Sequence, residues 1–321
     1  MSKLLYLIFL GLLLRLSCLA QAVQSGVTAP DTTIVLTEKL MTDKALQATD
    51  PKSLRRFLLF TGLGYAATQI GLYSLWYREQ PRQSFTFFDD GPQWKQMDKA
   101  GHAYSAYHLA QLSSQSFIRA GMDVRKSYWY GALMGKMLLL PVEIFDAYSA
   151  AYGFSWTDVG ANTAGALLLP LQYEIWGETR IHPKFSFSRS GLASLRPTTL
   201  GSRLHEEVLK DYNGQTYWLS FDLHRFFPEE NFPRWLNLAV GYGAENMIYG
   251  RDEQNQAVGL KPYRQFYLAP DLDLSYLRKK PLSFGNRLFN GMLYVIDLIH
   301  LPAPTLSYES GRGLRFYPLY F

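Results

Sequence analysis

The chain has 321 residues, of which 48% are hydrophobic and 18% are charged. This composition excludes an intrinsically disordered protein, because it supplies enough apolar surface for a buried core. The 32 Lys and Arg residues nearly balance the 27 Asp and Glu residues. A nucleic-acid partner is also excluded, since a phosphate-binding surface needs densely clustered positive charge and the sequence has no such cluster.

The first 22 residues have the pattern of a secretory signal peptide. Lys3 precedes an apolar run, Leu4 to Leu14, and a small-x-small cleavage pattern follows at Ala20 to Ala22. Cleavage there would remove Cys18, the only cysteine, so the mature chain could not use disulfides. Lipidation of Cys18 is the less favoured alternative, because Arg15 stands where a lipobox has an apolar residue.

The predicted fold class is α+β, with a bundle of about four helices followed by an antiparallel β-sheet. Phe57 to Tyr77 has no charged residue and is long enough for a membrane span, although its glycines and polar residues leave a buried helix as the alternative. Four segments are predicted: a signal peptide at 1–22, a leader segment at 23–52, a helical bundle domain at 53–177 and a β-rich region at 178–321.

Three further helices are predicted from the apolar text and its breaks. They run from Met97 to Ala120, from Val124 to Tyr148, and from just after Ser155 to Trp176. Pro141 lies inside the second of these helices, and its missing backbone donor predicts a kink close to Glu143.

After Gly177 the pattern changes to short aromatic stretches that partly alternate between apolar and polar residues. Four such stretches are predicted as strands: Tyr217 to Phe227, Leu236 to Ile248, Arg264 to Leu277 and Thr305 to Phe321. Phe284 to Leu301 is predicted as an amphipathic helix between the last two of these strands. Pro318 predicts that the final strand lies at an edge of the sheet, since proline cannot donate a ladder hydrogen bond.

Ionisable and polar residues recur within the predicted helices, and we expect them to form one polar centre. Asp98 and His102 share a helix face, as do Glu143 and Asp146, because residues three or four apart lie on the same side of a helix. A carboxylate in apolar text such as that around Glu143 needs a partner, because burying it alone is costly. The predicted members are Asp98, Lys99, His102, Glu143, Asp146, Ser155, Asp158 and Asn162.

Ser155 and Asp158 also match a helix capping box, with Ser155 as the N-cap. Asp158 and Asn162 are four residues apart on the helix that follows. Small residues there, Gly160, Ala161, Ala164 and Gly165, would let another helix approach closely and bring Asn162 to the interior.

These residues carry a resemblance to a known family. Met-Asp-Lys-x-x-His, Glu-x-x-Asp and Gly-x-Ser-x-x-Asp-x-x-x-Asn-x-x-Gly occur here in that order and spacing. The pattern resembles an uncharacterised family of predicted bacterial periplasmic (lipo)proteins of the YfiM-like type and, more distantly, the VanZ-like membrane family. The likeness spans about Gln80 to Gly177, and Lys210 to Ser220 resembles the longer, two-part members. It implies an envelope location but no established activity.

Three interpretations of the centre remain open from the sequence. It could be a buried hydrogen-bond network that fixes the packing of the helices. It could bind a divalent metal or a lipid head group, with His102, Glu143, Asp146 and Asp158 as candidate ligands. It could also serve a lipid- or cell-wall-directed hydrolase, with His102 as general base oriented by Asp98 or Glu143. Ser155 lacks the Gly-x-Ser-x-Gly elbow of a nucleophile.

The expected location is the periplasm or the periplasmic face of the outer membrane in a Gram-negative-type bacterium, because the chain begins like an exported protein. The expected partners are a membrane surface and an envelope protein, with no nucleic acid.

Overall fold

The computed structural model describes residues 81–150, 152–278 and 284–321, together with residues 55, 59, 62–67, 69, 70 and 73. The predicted signal peptide and leader segment lie outside the described residues, and the stretch from Phe57 to Tyr77 is described only in part. Residues 62–67 are helical. Within the described part of the chain, no helix is long and apolar enough to cross a membrane.

Three long helices form the core of the helical part, close to their predicted bounds. They are α1 (Met97–Arg119), α2 (Val124–Ala147) and α3 (Trp156–Trp176), and each packs against the other two. Asp123 caps α2 by accepting from Lys126 N at 3.0 Å, and α3 ends at Gly177, whose φ of 72° is favoured in glycine. α2 continues as a helix through Pro141.

The helices approach closely where glycine replaces a larger residue. A Cβ at Gly165 on α3 would lie 2.0 Å from the backbone oxygen of Ala103 on α1, and one at Gly135 on α2 would lie 2.7 Å from Ala110 N. The predicted close approach of α3 is therefore confirmed at Gly165. Gly160 has open space around it and lies away from the contact.

The second half of the chain forms a six-stranded antiparallel sheet in the order β1-β2-β3-β4-β5-β6, so the α+β prediction is confirmed. The strands are β1 (Ile181–Phe187), β2 (Gln215–Asp222), β3 (Leu236–Glu245), β4 (Tyr263–Leu272), β5 (Ala303–Glu309) and β6 (Gly313–Tyr320). Intervening helices are α4 (Pro197–Leu200), α5 (Leu204–Lys210), α6 (Leu223–Phe226), α7 (Asp252–Ala257) and α8 (Phe284–Asp297). Short 3-10 helices occur at Gln93–Gln96, Leu192–Leu195, Pro228–Glu230 and Leu274–Leu277.

The strand predictions need correction in several places. Tyr217 to Phe227 and Arg264 to Leu277 extend past β2 and β4 into short helices. β1 was not predicted, although its residues alternate; Pro183 stands inside it, and proline is disfavoured within strands. The stretch from Thr305 to Phe321 is a hairpin of two strands rather than one, because a turn with Gly311 at φ 77° separates them. Pro318 lies on β6, an edge strand, as predicted.

The sheet curls, and α1 packs on part of its outer face. Lys184 Nζ on β1 lies 2.7 Å from Asp271 Oδ2 on β4, so the two strands face each other across the inner, concave side. On the outer side, Tyr104 of α1 packs with Phe185 and Tyr217 in one buried cluster. This contact joins the helical part to the sheet.

Candidate functional site

The chain enters α1 through three consecutive residues, Trp94 to Gln96, with φ of 51°, 50° and 63°. This left-handed conformation is unfavourable for residues other than glycine, so neighbouring contacts must hold it. Arg264 Nη2 on β4 donates to Gln96 Oε1 at 2.6 Å, and Tyr242 OH donates to Lys95 O. The sheet thereby fixes the start of α1, where Asp98 lies.

Lys99 is surrounded by carboxylates from three parts of the chain. Its Nζ lies 2.7 Å from Asp90 Oδ2, 2.7 Å from Asp158 Oδ1 and 2.9 Å from Asp98 Oδ2. Burial alone would lower the pKa of Lys99, but Asp98 and Asp158 raise it above its usual value. Lys99 therefore remains an ammonium ion at neutral pH.

Asp90 is a member of this centre that the sequence did not identify. Its Oδ1 accepts from Ser155 Oγ at 2.6 Å and from Thr157 Oγ1 at 2.9 Å. Despite its burial, the hydrogen bonds from Lys99 and Ser155 lower its pKa. Asp90 lies in a turn-forming Asp-Asp-Gly-Pro stretch, a composition that predicts a loop but does not predict where the loop packs.

His102 lies between an amide and two carboxyl groups. Its Nδ1 is 3.1 Å from Asn162 Oδ1, an acceptor, so Nδ1 carries the proton and donates it. Its Nε2 therefore presents a lone pair, 3.7 Å from Asp98 Oδ1 and 3.5 Å from Asp158 Oδ1. Burial lowers the pKa of His102, which keeps the imidazole neutral. The Nε2 lone pair of His102 thus faces one carboxyl oxygen of Asp98 and one of Asp158.

Glu143 is the most deeply buried acid of the centre, with 1% of its surface exposed. Its Oε1 lies 3.6 Å from His102 Nδ1 and has no hydrogen-bond partner among the described residues. Burial, followed by the neighbouring Asp158 and Asp146 carboxyl groups, raises the pKa of Glu143 to about 10. Glu143 is therefore protonated at neutral pH.

Asp98 and Asp158 both contact the Lys99 ammonium, but their pKa values shift in opposite directions. Burial opposes ionisation of Asp98, yet His102 and Lys99 lower its pKa. Burial and the nearby Asp98 charge raise the pKa of Asp158 in spite of its contact with Lys99. Tyr212, from the loop before β2, donates to Asp98 Oδ1 at 3.2 Å and links the sheet region to the centre.

The other two predicted members occupy the margin of the centre. Ser155 is the N-cap of α3, and its Oγ accepts from Asp158 N at 3.0 Å, as the capping interpretation predicted. The Asp158 carboxylate turns toward Lys99 and His102. Asp146 is half-buried one turn from Glu143 and acts on it through its charge. The structure thus brings together Asp98, Lys99, His102, Glu143, Asp158 and Asn162, with Ser155 and Asp146 beside them.

The geometry suits a cation held by Asp98, His102 and Asp158. Each offers one ligand atom, and the three atoms lie within 4.8 Å of one another. Ligand atoms about 2.1 Å from a tetrahedral metal are about 3.4 Å apart, close to the two distances from His102 Nε2. Of the predicted metal ligands, His102 and Asp158 are in this group. Asp98 joins them, while Glu143 faces the other ring nitrogen.

A cavity of about 260 Å³ lies elsewhere, between α1 and the sheet region. Its lining includes His108, Gln111, Arg225, Tyr294 and Asp297, and none of the eight predicted site residues. The His102 centre is therefore separate from this cavity.

Fold and site together define an α+β protein with a buried His/carboxylate centre between three helices. A family described as "Predicted periplasmic lipoprotein (DUF2279)" matches residues 86–174. This region contains Asp90 and all eight predicted site residues, and the match supports an exported, periplasmic location. Neither the curated proteins nor the solved structures that were searched gave a match.

Proposed function

We propose that this protein is an exported, membrane-associated envelope protein in which Asp98, His102 and Asp158 bind a divalent cation. The observation that carries the proposal is the convergence of one imidazole nitrogen and two carboxylate oxygens within 4.8 Å. One histidine with carboxylates is a ligand set for borderline or hard cations such as Zn²⁺ or Mn²⁺.

The charge balance of the centre supports a cation. Asp90, Asp98, Glu143 and Asp158 bring four carboxyl groups to one ammonium, Lys99, so full ionisation would leave a formal excess of three negative charges. Such an excess is costly in an interior with little water. Protons on Glu143 and Asp158 relieve it in the absence of metal, and a divalent cation would replace the proton on Asp158.

His102 has the tautomer that ligation requires. Metal-binding histidines usually donate the second ring N–H to an oxygen acceptor, which fixes the ring and its lone pair. Asn162 Oδ1 is that acceptor here. Asp98 can serve both cations, because Lys99 contacts its Oδ2 while His102 faces its Oδ1.

The location draws on the family match and on the signal-peptide pattern of residues 1–22. We place the mature chain, from residue 23, in the periplasm or on the periplasmic face of the outer membrane. We further propose that the chain is related to the YfiM-like type and, more distantly, to the VanZ-like family. We propose a membrane surface and an envelope protein as its partners. The boundary at 177 between helical domain and β-rich region is proposed to separate cation binding from surface contact.

The hydrolase and head-group interpretations remain predictions from the sequence. His102 is 5% exposed, and the 260 Å³ cavity is not lined by it. A substrate or a head group would therefore need the helices to separate before it reached Nε2, and a metal ion, being smaller, needs less space.

Calorimetric titration of Mn²⁺ or Zn²⁺ into chelator-treated protein tests the proposal. We expect binding that is lost in His102→Gln and kept in His108→Gln, a buried histidine on the same helix whose Nε2 donates to Pro183 O at 3.0 Å. Thermal melts of both variants establish that they are folded, and Asp98→Asn replaces His102→Gln if the latter unfolds. Equal affinity in wild type and His102→Gln would overturn the proposal.

A further inference from the structure

The sheet is partly inverted relative to a sheet whose apolar face is buried, although a buried apolar cluster of Trp218, Ala239, Tyr267 and Ala269 shares its concave side. Its concave side carries polar residues that are almost completely buried, and its convex side carries exposed apolar residues. The buried polar residues of the concave side include Lys184, Thr216, Ser220, Asn237, Asp271, Thr305, Ser307 and Glu309. Water should favour the opposite arrangement, because burying polar groups is costly and exposing apolar ones forfeits the hydrophobic gain.

The convex apolar residues form continuous rows, as the strand register shows. Leu219 pairs with Val240, Val240 with Leu268, Leu268 with Leu306, and Leu306 with Phe316, so one row crosses five strands. All five side chains are between 42% and 64% exposed. We call this row, with the next row described below, the convex patch.

A second row runs beside the first. Phe266 pairs with Tyr308, and Tyr308 with Leu314, whereas Tyr242 beyond Phe266 is half-buried against the helical part. Neither row contains a charged residue. An apolar patch that extends over up to five adjacent strands is unusual on a protein surrounded by water and marks a contact surface.

Helix α8, which joins β4 to β5, shows the same inversion. Its Leu288, Met292 and Ile296 are exposed at four-residue spacing, between 37% and 55%. The opposite side turns polar groups inward, where Tyr294 OH donates to Gln111 Oε1 at 3.1 Å and Asp297 lies 3.2 Å from Lys184 Nζ.

We propose that the convex patch lies against the hydrocarbon of a lipid membrane. Lipid hydrocarbon fits both observations, because an uncharged surface matches an uncharged medium and the polar groups lie on the concave side, away from that medium. A second copy of the chain would cover one flat face, whereas the exposed apolar surface also includes α8. The inference rests on the membrane association proposed above and names the surface responsible. It does not depend on the cation centre.

Vesicle flotation with matched variants tests this assignment. Val240→Glu puts a charge in the convex patch, and Val258→Glu puts the same charge on a valine that is 52% exposed beside α7, outside the sheet. On phosphatidylcholine vesicles we expect partitioning to fall about tenfold or more in Val240→Glu, because a charge in hydrocarbon is costly. Val258→Glu should float like the wild type. Both positions are exposed, so both variants should fold.

A site-specific label provides a second measurement. In a Cys18→Ser background, Leu268→Cys carrying an environment-sensitive fluorophore should shift to the blue on vesicles, while the same label at Gln254→Cys, exposed on α7, should not. Equal flotation of all variants would overturn the assignment of the surface and leave membrane association intact. A wild type that fails to float would overturn both. A lipid-free dimer disrupted by Val240→Glu would identify a second copy as the occupant instead.

Discussion

Two buried lysines, one in each half of the molecule, lie in different charge balances. In the sheet, Lys184 Nζ is 2.7 Å from Asp271 Oδ2 and 3.2 Å from Asp297 Oδ1. Arg278 Nη2 lies 3.6 Å from Asp297 Oδ2, and Ser220 Oγ donates to Asp271 Oδ2 at 2.6 Å. Two cationic groups thus lie against two carboxylates, and the charges of this cluster compensate each other.

In the helical part, Lys99 meets three carboxylates, and Glu143 lies close by against His102. The same residue type therefore completes one cluster and leaves the other short of positive charge. The comparison teaches that a buried lysine does not by itself define a structural ion pair. The surplus of carboxylates around Lys99 is what indicates a further cation.

Lys184→Met should have the largest effect on stability. It leaves Asp271, 4% exposed, without its ammonium partner, and breaking a buried ion pair in this way costs about 3–5 kcal/mol. Urea denaturation measures the loss. Because the sheet has no surplus of acidic ligands, adding Mn²⁺ should not restore stability.

Lys99→Met is the matched variant in the helical centre. Without divalent cations it should destabilise by a similar amount, and Mn²⁺ should recover part of the loss because a cation at Asp98 and Asp158 replaces the missing positive charge. Equal recovery of both lysine variants, or of neither, would remove the distinction between the two clusters.

Gly165→Ala tests the close contact that closes the helical centre. The added methyl would overlap the Ala103 backbone, so we expect a loss of about 1–3 kcal/mol. Gly160→Ala, five residues earlier on α3 with open space around it, should be neutral or stabilise by up to about 1 kcal/mol through helix propensity. Thermal melts compare the two, and a tolerated Gly165→Ala would show that α1 and α3 can separate.

Asn162→Leu removes the acceptor of the His102 Nδ1 proton. Leaving that buried donor unpaired costs about 1–3 kcal/mol. If His102 ligates a cation, losing its orienting partner should also weaken binding about 10- to 100-fold.

Thr163→Val is the control for Asn162→Leu. It deletes a hydroxyl on the same helix that donates to Val159 O, away from the centre, and should leave cation affinity unchanged. Parallel calorimetric titrations decide the point. Unchanged affinity in Asn162→Leu would mean that His102 is not a ligand.

Glu143→Gln should flatten the pH dependence of stability. Burial raises the pKa of Glu143 from 4.5 to about 10, so the folded protein keeps a proton that the unfolded chain releases. Because of Glu143, the free energy of unfolding therefore falls as the pH rises from about 4.5 to about 10, by up to about 1.4 kcal/mol per pH unit.

Gln keeps the shape of Glu143 and has no proton to lose. In the presence of chelator, the variant should resist urea better than the wild type at pH 8, and the difference should shrink toward pH 5. A variant less stable than the wild type at pH 8 would mean that Glu143 is ionised and paired in the folded state.

The sequence was sufficient for the three long helices, and side-chain caps mark the start of two of them. Asp123 and Ser155 cap α2 and α3, and Gly177 ends α3.

Strands were predicted where alternation was regular. β1 was missed because Pro183 disfavours a strand interior, and pairing with β2 defines this strand. The buried face of the sheet could not be predicted, since alternation does not say which set of alternating residues points inward.

For the candidate site, local spacing predicted which side chains share a helix face. The i, i+4 pairs Asp98 with His102 and Asp158 with Asn162 lie on the faces that meet. Asp90 could not be predicted as a member of the centre, because it lies in a loop whose position depends on contacts with Lys99 and Ser155. The assignment of the centre's function stays a proposal.

The most direct measurement of the central claim is an anomalous difference map from crystals grown with Zn²⁺ or Mn²⁺. We predict one peak within about 2.3 Å of His102 Nε2 and of a carboxylate oxygen from each of Asp98 and Asp158. The peak should be missing in crystals of His102→Gln. Well-ordered Asp98, His102 and Asp158 side chains with no anomalous peak between them, at saturating metal, would contradict the claim and leave Lys99 as the only cation of the described centre.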